Sequence, residues 1–352
     1  MSTKRGRITI NGFDADVVEQ REELSDWTED KDTNLESRWR RVAREIRRDR
    51  LALIGGTVVF VMVLLAIFSQ PIRAFGVTIQ PISITPYDPG QQFVAGTTDN
   101  YAYPSFLPWS EGSLLDYPFG TDTLGRDVFS RVIAGTRYSV TIGLIVTAIS
   151  GTFGVIYGGI SGYFGGKVDG VLMRFVDMIF AFPGLVLAIV ILSLLGKGYW
   201  PLVFAFTATG WAGYARLIRG EILKVKQNEY VLAAKALGAR DRRVLFRHVV
   251  PNSIAPVIVQ ATLSIGTVVI GVAALGFLGL GFPPGTPEWG TMINAEQGTV
   301  LSARGWIRWW VTVFPGLMLF LFVMAMNMIG DAINDALDAQ GGEGIDAAGG
   351  GG

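Results

Sequence analysis

Residues 51–69 carry no charged side chain across 19 positions, which is long enough to be read as a membrane-crossing helix. The apolar core of a bilayer is about 30 Å thick and needs about 20 mostly apolar residues in helical form. Only a helix or a closed barrel satisfies its own backbone polar groups there. Further apolar stretches at 138–164, 173–195, 201–214, 253–280 and 306–329 give about six spans. The fourth is short unless 215–220 continues the helix, with Arg216 and Arg219 reaching to the interface. Composition agrees: mean hydropathy is +0.39, half of the residues are hydrophobic and 17% are charged, too apolar for an ordinary soluble domain of 352 residues. The expected fold class is all-α, a polytopic membrane helix bundle. Small residues recur in the spans, including Gly151, Gly154, Gly158 and Gly162. They let helix backbones approach closely where lipid gives no hydrophobic drive.

Charge placement orients the chain. Lys plus Arg and Asp plus Glu both number 30, so net charge argues for no nucleic-acid partner. The segment 216–251 is nonetheless rich in basic residues, and a basic run at 38–50 precedes the first span. Short basic loops stay cytoplasmic, so with an even number of crossings both termini are cytoplasmic. Residues 70–137, 196–199 and 281–304 then face outward. The organisation reads as a cytoplasmic tail 1–50 with a basic amphipathic segment, a first helix 51–69 and an extracytoplasmic loop 70–137. A five-helix core 138–332 holding the loop 216–251 follows, and then a Gly-rich cytoplasmic tail 333–352. Residues 14–32 are acidic and read as a surface-lying tail.

Several chemistries are missing from the sequence. Cys 0 excludes disulfides and thiolate chemistry, and a single histidine, His248, is too few for a typical transition-metal site. No phosphate-binding loop is present: Gly166-Lys167 runs into Val168 and Gly196-Lys197 into Gly198. No catalytic residue, cofactor site or metal site is expected. A passive channel or ion-coupled carrier needs a polar filter or an ionisable group at mid-span, and the span centres offer none. A scaffold that recruits a partner through its basic loop is the other rival.

The loop 216–251 carries the main signal. Residues 227–237 favour helix, Gly238 suits the left-handed residue past a helix end, Asp241 suits an N-cap and Pro251 a stop. A helix–turn–helix follows, with Ala233, Ala234 and Ala236 as a small-residue surface over which a partner can close. In motif terms, Ala233-Ala234, Gly238 and Pro251 hold the spacing of the EAA loop of binding-protein-dependent ABC importer membrane subunits. Leu232 stands at that motif's glutamate and His248 at its isoleucine. The wider form, Tyr-Val-x-Ala-Ala-x-Ala-Leu-Gly-Ala with Arg-His-Val-x-Pro-Asn, resembles the dipeptide/oligopeptide/nickel branch. Phe119-Gly-Thr-Asp122-x-x-Gly125-Arg126-Asp127, Pro287-Glu-Trp-Gly290-x-Met292 and Phe314-Pro-Gly316 with Asn327, Gly330-Asp331, Asp335 and Asp338 resemble the same branch's C-type subunits, in order.

This resemblance implies a type I ABC importer permease fold in a prokaryotic plasma membrane. It also implies a homologous second permease subunit, two ABC ATPase subunits and an extracytoplasmic solute-binding protein. ATP hydrolysis would belong to the partners. Glu229, Ala233, Ala234, Gly238, Ala239, Asp241, Arg242, His248 and Pro251 would form the ATPase-coupling loop. Gly120, Thr121, Asp122, Gly125, Arg126 and Asp127 would form an extracytoplasmic motif, either a surface turn with a weak ion pair or an element ordering the outer mouth. Trp289 and Trp309 are read as interfacial anchors and Asn327 as an interhelical hydrogen-bond residue.

Overall fold

The computed structural model describes residues 43–74, 77–93, 102–107, 116–300 and 308–349. The acidic stretch 14–32 and the start of the basic run, 38–42, lie outside the described residues, as do the last residues of the Gly-rich tail. Arg50–Asp335 forms one compact unit, and the remaining terminal residues group separately. Helix α1 (Arg50–Phe68) leads into a short hairpin of β1 (Ile72–Ala74) and β2 (Val77–Gln80). The long α2 (Val128–Phe164) follows, then α3 (Gly166–Phe180), α4 (Gly184–Leu195) and α5 (Tyr199–Val225). Short helices α6 (Glu229–Ala236), α7 (Asp241–Val244) and α8 (Val250–Ser253) make up the basic segment. Next come α9 (Ala255–Phe277), α10 (Trp289–Ala295), α11 (Gln297–Val300) and α12 (Trp310–Gly349).

Among the described residues, α1, α2, α9 and α12 through Leu337 are long and apolar enough to cross a membrane. The expected third span is not one straight helix. It divides into α3 and α4, bent by 82°, because Pro183 cannot donate a backbone hydrogen bond or tolerate the preceding turn. The pair counts as a fifth span if taken together. Helix α5 does run on through Arg216 and Arg219 to Val225, but those arginines do not simply reach into solvent. Arg219 makes a bidentate pair with Asp169 of α3 at 2.5 Å, and Arg216 reaches Asp177 at 2.7 Å. Helix α2 begins ten residues earlier than the apolar run, within the segment read as an outer loop, and α12 continues past 332 as helix.

Helices α2 and α5 form the tightest pair. A methyl group placed on Gly158 would lie 2.0 Å from the Ala215 carbonyl oxygen, and one on Gly154 would strike Tyr214 and Trp211. Backbone contact at this distance needs glycine on one face of α2, the small-residue packing that the sequence suggests. At the opposite end of α2, Arg137 donates to the Ala66 and Ile67 carbonyls at 2.7 and 2.8 Å and to that of Gln70. The Ala66 and Ile67 carbonyls belong to the last turn of α1, so a cation there satisfies both hydrogen-bonding and dipole requirements.

Candidate functional site

Two sites sit at opposite ends of the bundle. The first is the basic segment. Helix α6 ends in a Schellman motif: the Gly238 amide donates to Lys235 O at 2.9 Å and the Ala239 amide to Ala234 O at 3.1 Å. Gly238 has φ +79°, a left-handed conformation that only glycine, and less readily asparagine, adopts without strain. Ala234 and Ala239 turn inward, onto a cluster with Tyr163, Ile218, Ile222, Val231, Val244 and Val249. Ala233 is exposed, as are the large side chains of Tyr230, Leu232, Leu237 and Phe246, with Leu237 reaching 88%. The outward face of the segment is therefore apolar at its centre. Around it lie the exposed Glu229, Lys235, Arg240, Arg242, Arg243 and Arg247.

Two expectations for this segment change. Asp241 does not cap α7: it is the first helical residue and accepts a 2.6 Å hydrogen bond from the Tyr163 hydroxyl at the C-terminal end of α2. Lys235 lies over the same Tyr163 ring at 4.6 Å, so one tyrosine holds both halves of the helix–turn–helix. Pro251 does not stop the chain either. A π turn at Leu245–Val249 precedes it, closed by the Val250 amide on Leu245 O. The widened turn gives the proline ring room that a regular α turn denies. His248 is half-buried, and its carbonyl accepts from the Asn252 side chain at 2.6 Å.

The second site is the Gly120–Asp127 turn, and burial rules out the surface-turn reading. Asp122 and Arg126 are both 5% exposed and Asp127 is 1% exposed. Asp122 accepts from the Leu124 and Arg126 amides at 2.9 and 3.0 Å and from Arg126 Nε at 2.7 Å, with Arg131 Nε at 3.4 Å. Asp127 caps α2 by accepting from the Ser130 amide at 2.8 Å, and burial pushes its carboxyl pKa up. Thr121 accepts from the Ala102 amide at 2.6 Å through its side chain and from the Trp310 indole at 3.1 Å through its carbonyl. Gly120 (φ +72°) lies where a side chain would strike Ala102 O and the Trp310 indole, and Gly125 (φ +71°) closes the turn with its amide on Asp122 O.

Several residues of this node are absent from the motif. Arg131 donates to the Pro89 and Gly285 carbonyls at 2.9 and 3.2 Å. Glu296 accepts from the Thr123 amide and hydroxyl at 3.1 and 2.9 Å. Glu288, fully buried, caps α10 by accepting from the Gly290 and Thr291 amides and the Thr291 hydroxyl at 2.8 to 2.9 Å. Burial raises its pKa against these hydrogen bonds. Trp289 is no interfacial anchor: it is 0% exposed and donates to Val132 O at 3.0 Å. Trp309 does stay exposed, and Asn327 lies exposed along α12. Glutamate is not a usual N-cap residue, so the sequence gives no signal for this cap.

Residues 154–340 match the family of binding-protein-dependent transport system inner membrane components. The chain belongs to that family. Residues 37–104 match the N-terminal transmembrane domain of oligopeptide transport permease C, which places this permease in the dipeptide/oligopeptide/nickel branch of ABC importer permeases, among its C-type subunits. The glutathione transport system permease protein GsiD of Salmonella paratyphi A is 36% identical over 310 residues, covering 88% of this chain and 93% of its own. GsiD of Escherichia coli O6:K15:H31 is 35% identical over the same shares. The inward-facing MetNI methionine ABC transporter overlays with a TM-score of 0.45 at 15% identity, covering 58% of this chain and 96% of that one. The permease is thus a non-catalytic, multi-pass subunit of the plasma membrane, and its family works with separate ATPase subunits and a binding protein.

Proposed function

We propose that this permease supplies half of a pathway for peptides or related small solutes, and that the segment 216–251 is its docking site for an ATPase. The apolar outward face of α6 and the turn after it carries this reading. Tyr230, Leu232, Leu237 and Phe246 are left uncovered within a basic surround, whereas the inward face is fully packed. An aromatic and aliphatic centre with a charged rim is the anatomy of a protein interface. Leu232, at the position of the motif's glutamate, belongs to that centre, so docking here relies on shape and apolar area.

The assembly comprises a homologous second permease, two ATPases below the segment and a solute-binding protein outside, with both termini cytoplasmic. The buried Asp122–Arg126–Arg131 node serves to hold the outer ends of α2, α10 and α12 together against the binding protein. Driving force passes from the ATPase to α6 and then, through Tyr163 and Arg219, to α2 and α3. That motion requires the ATPase to contact α6 differently in its two states. Glutathione, named for the GsiD relatives, is a small peptide, and an uncharged pathway suits sequence-tolerant peptide passage. The test is uptake of labelled peptides by the reconstituted complex. ATP-dependent uptake supports the reading, and uptake that follows a proton gradient and ignores ATP contradicts it.

A further inference from the structure

Several hydroxyls on the spans satisfy themselves by donating to the preceding turn. Thr136 donates to Val132 O, Thr141 to Arg137 O, Thr209 to Ala205 O, Thr262 to Ile258 O and Thr267 to Leu263 O. Thr147 and Ser150 of α2 and Tyr214 of α5 do not. Their hydroxyl oxygens are buried without a hydrogen-bond partner. The Tyr214 hydroxyl lies close enough to those of Thr147 and Ser264 to interact with them, but short of full hydrogen-bond geometry, so each oxygen keeps unused donor and acceptor capacity. Ser139 and Thr207 are unpaired as well, yet stand outside the space that the other three share.

That space is a cavity of about 210 Å³ between α2, α5 and α9, near the middle of all three helices. No charged residue lines it. At Thr147 it meets an open apolar groove of about 350 Å³ that runs between α2 and α9 to Ile254, where α9 joins the basic segment. Buried hydroxyls without partners cost free energy, and such a cost is met when a guest completes them. Each hydroxyl can both donate and accept. The matching guest is neutral and offers both a donor and an acceptor, because a charged group would enter without a counter-ion.

We propose that the Thr147–Ser150–Tyr214 cavity is a subsite for an uncharged amide unit of the transported solute, which the apolar groove then receives on its way to the cytoplasmic end. This rests on the importer reading above. The chain has no cysteine, so Val268→Cys, on the apolar wall of the cavity, gives it a single thiol in the assembled transporter in nanodiscs. The rate of its labelling by a neutral methanethiosulfonate reagent is measured with and without N-acetyl-alanyl-alanine N-methylamide, and with the ester analogue lacking one amide N–H.

The amide probe is expected to slow labelling about tenfold and the ester markedly less, as the loss of one or two hydrogen bonds implies. Thr147→Val, Ser150→Ala and Tyr214→Phe together should abolish the protection. Tyr214→Phe alone, which removes one oxygen, should weaken it several-fold and serves if the triple variant does not assemble. A labelling rate that ignores the probe would mean that water alone fills the cavity and would overturn the proposal, as would protection that survives loss of the hydroxyls. Hydroxyl-dependent protection in a complex that shows no ATP-driven uptake would uphold the subsite while contradicting the importer reading.

Discussion

The Tyr163 hydroxyl donates to Asp241 Oδ1 at 2.6 Å and joins the C-terminal end of α2 to the first residue of α7. A hydrogen bond to a charged group contributes about 1.5–3 kcal/mol. Tyr163→Phe keeps the ring under Lys235 and removes only that bond. Uptake per ATP hydrolysed should fall about tenfold while assembly persists, on the lower part of that range. Asp241→Ala should do the same, and the double variant should be no worse than either, the non-additivity expected of residues joined in one contact. Additive losses would show that the two residues act separately.

Gly238 separates backbone requirement from side-chain contact. A side chain there meets nothing within 4 Å, so only the positive φ restricts the position. Gly238→Asn should retain most uptake because asparagine tolerates the left-handed region. Gly238→Pro fixes φ near −65° and removes the amide that closes the Schellman motif. Transport should be lost with the complex still assembled, as read by co-purification and uptake. Normal uptake by the proline variant would remove the turn from the coupling path.

Asp122 serves two buried arginines, Arg126 and Arg131. Truncation to alanine leaves both guanidinium groups without their nearest carboxylate, a change that costs about 3–5 kcal/mol when an ion pair is broken in the interior. Thermal unfolding of Asp122→Ala should show a clear drop in midpoint. An unchanged midpoint would mean that water replaces the carboxylate at little cost.

Glu288 predicts a pH dependence of stability. Its pKa in the folded chain is raised by burial, so the folded state holds the proton more tightly than the unfolded state. The resulting stabilisation is complete below the ordinary glutamate value and fades as pH rises through the raised one. Lowering the pH toward the ordinary glutamate value should therefore raise this contribution to the unfolding midpoint, part of it through Asp127, whose pKa is also raised. Glu288→Gln should flatten the dependence, leaving the Asp127 share. Tryptophan fluorescence, with Trp289 adjacent, reads the transition. A profile identical in the two proteins would assign the effect elsewhere.

The apolar run at 51–69, the glycine face of α2 and the Gly238 turn were legible because each depends on local pattern or on a residue type with one physical use. The outer node was only half legible. Asp122 and Arg126 are close in sequence, but Arg131 meets Gly285, Glu296 meets Thr123 and Trp289 meets Val132 across more than 150 positions. Burial of Trp289 follows from those tertiary neighbours, and an isolated tryptophan beside a span reads equally well as an anchor. Pro183 was a visible break that the hydropathy of its surroundings concealed, and the π turn before Pro251 has no signal beyond the proline itself. The orphan hydroxyls at Thr147, Ser150 and Tyr214 are ordinary residues in sequence, distinguished only by what fails to surround them.

The docking of an ATPase on the segment 216–251 is tested most directly by cross-linking from this cysteine-free chain. Leu237→Cys places a thiol on the most exposed apolar residue of the turn, and Leu194→Cys places one on an equally bare leucine near the end of α4, by the turn read as outward-facing. With a short thiol-to-amine reagent on the assembled complex, Leu237→Cys should join the permease to an ATPase subunit, with a yield that changes when ATP is added, and Leu194→Cys should not. An ATPase adduct from Leu194→Cys, with none from Leu237→Cys, would contradict the assignment.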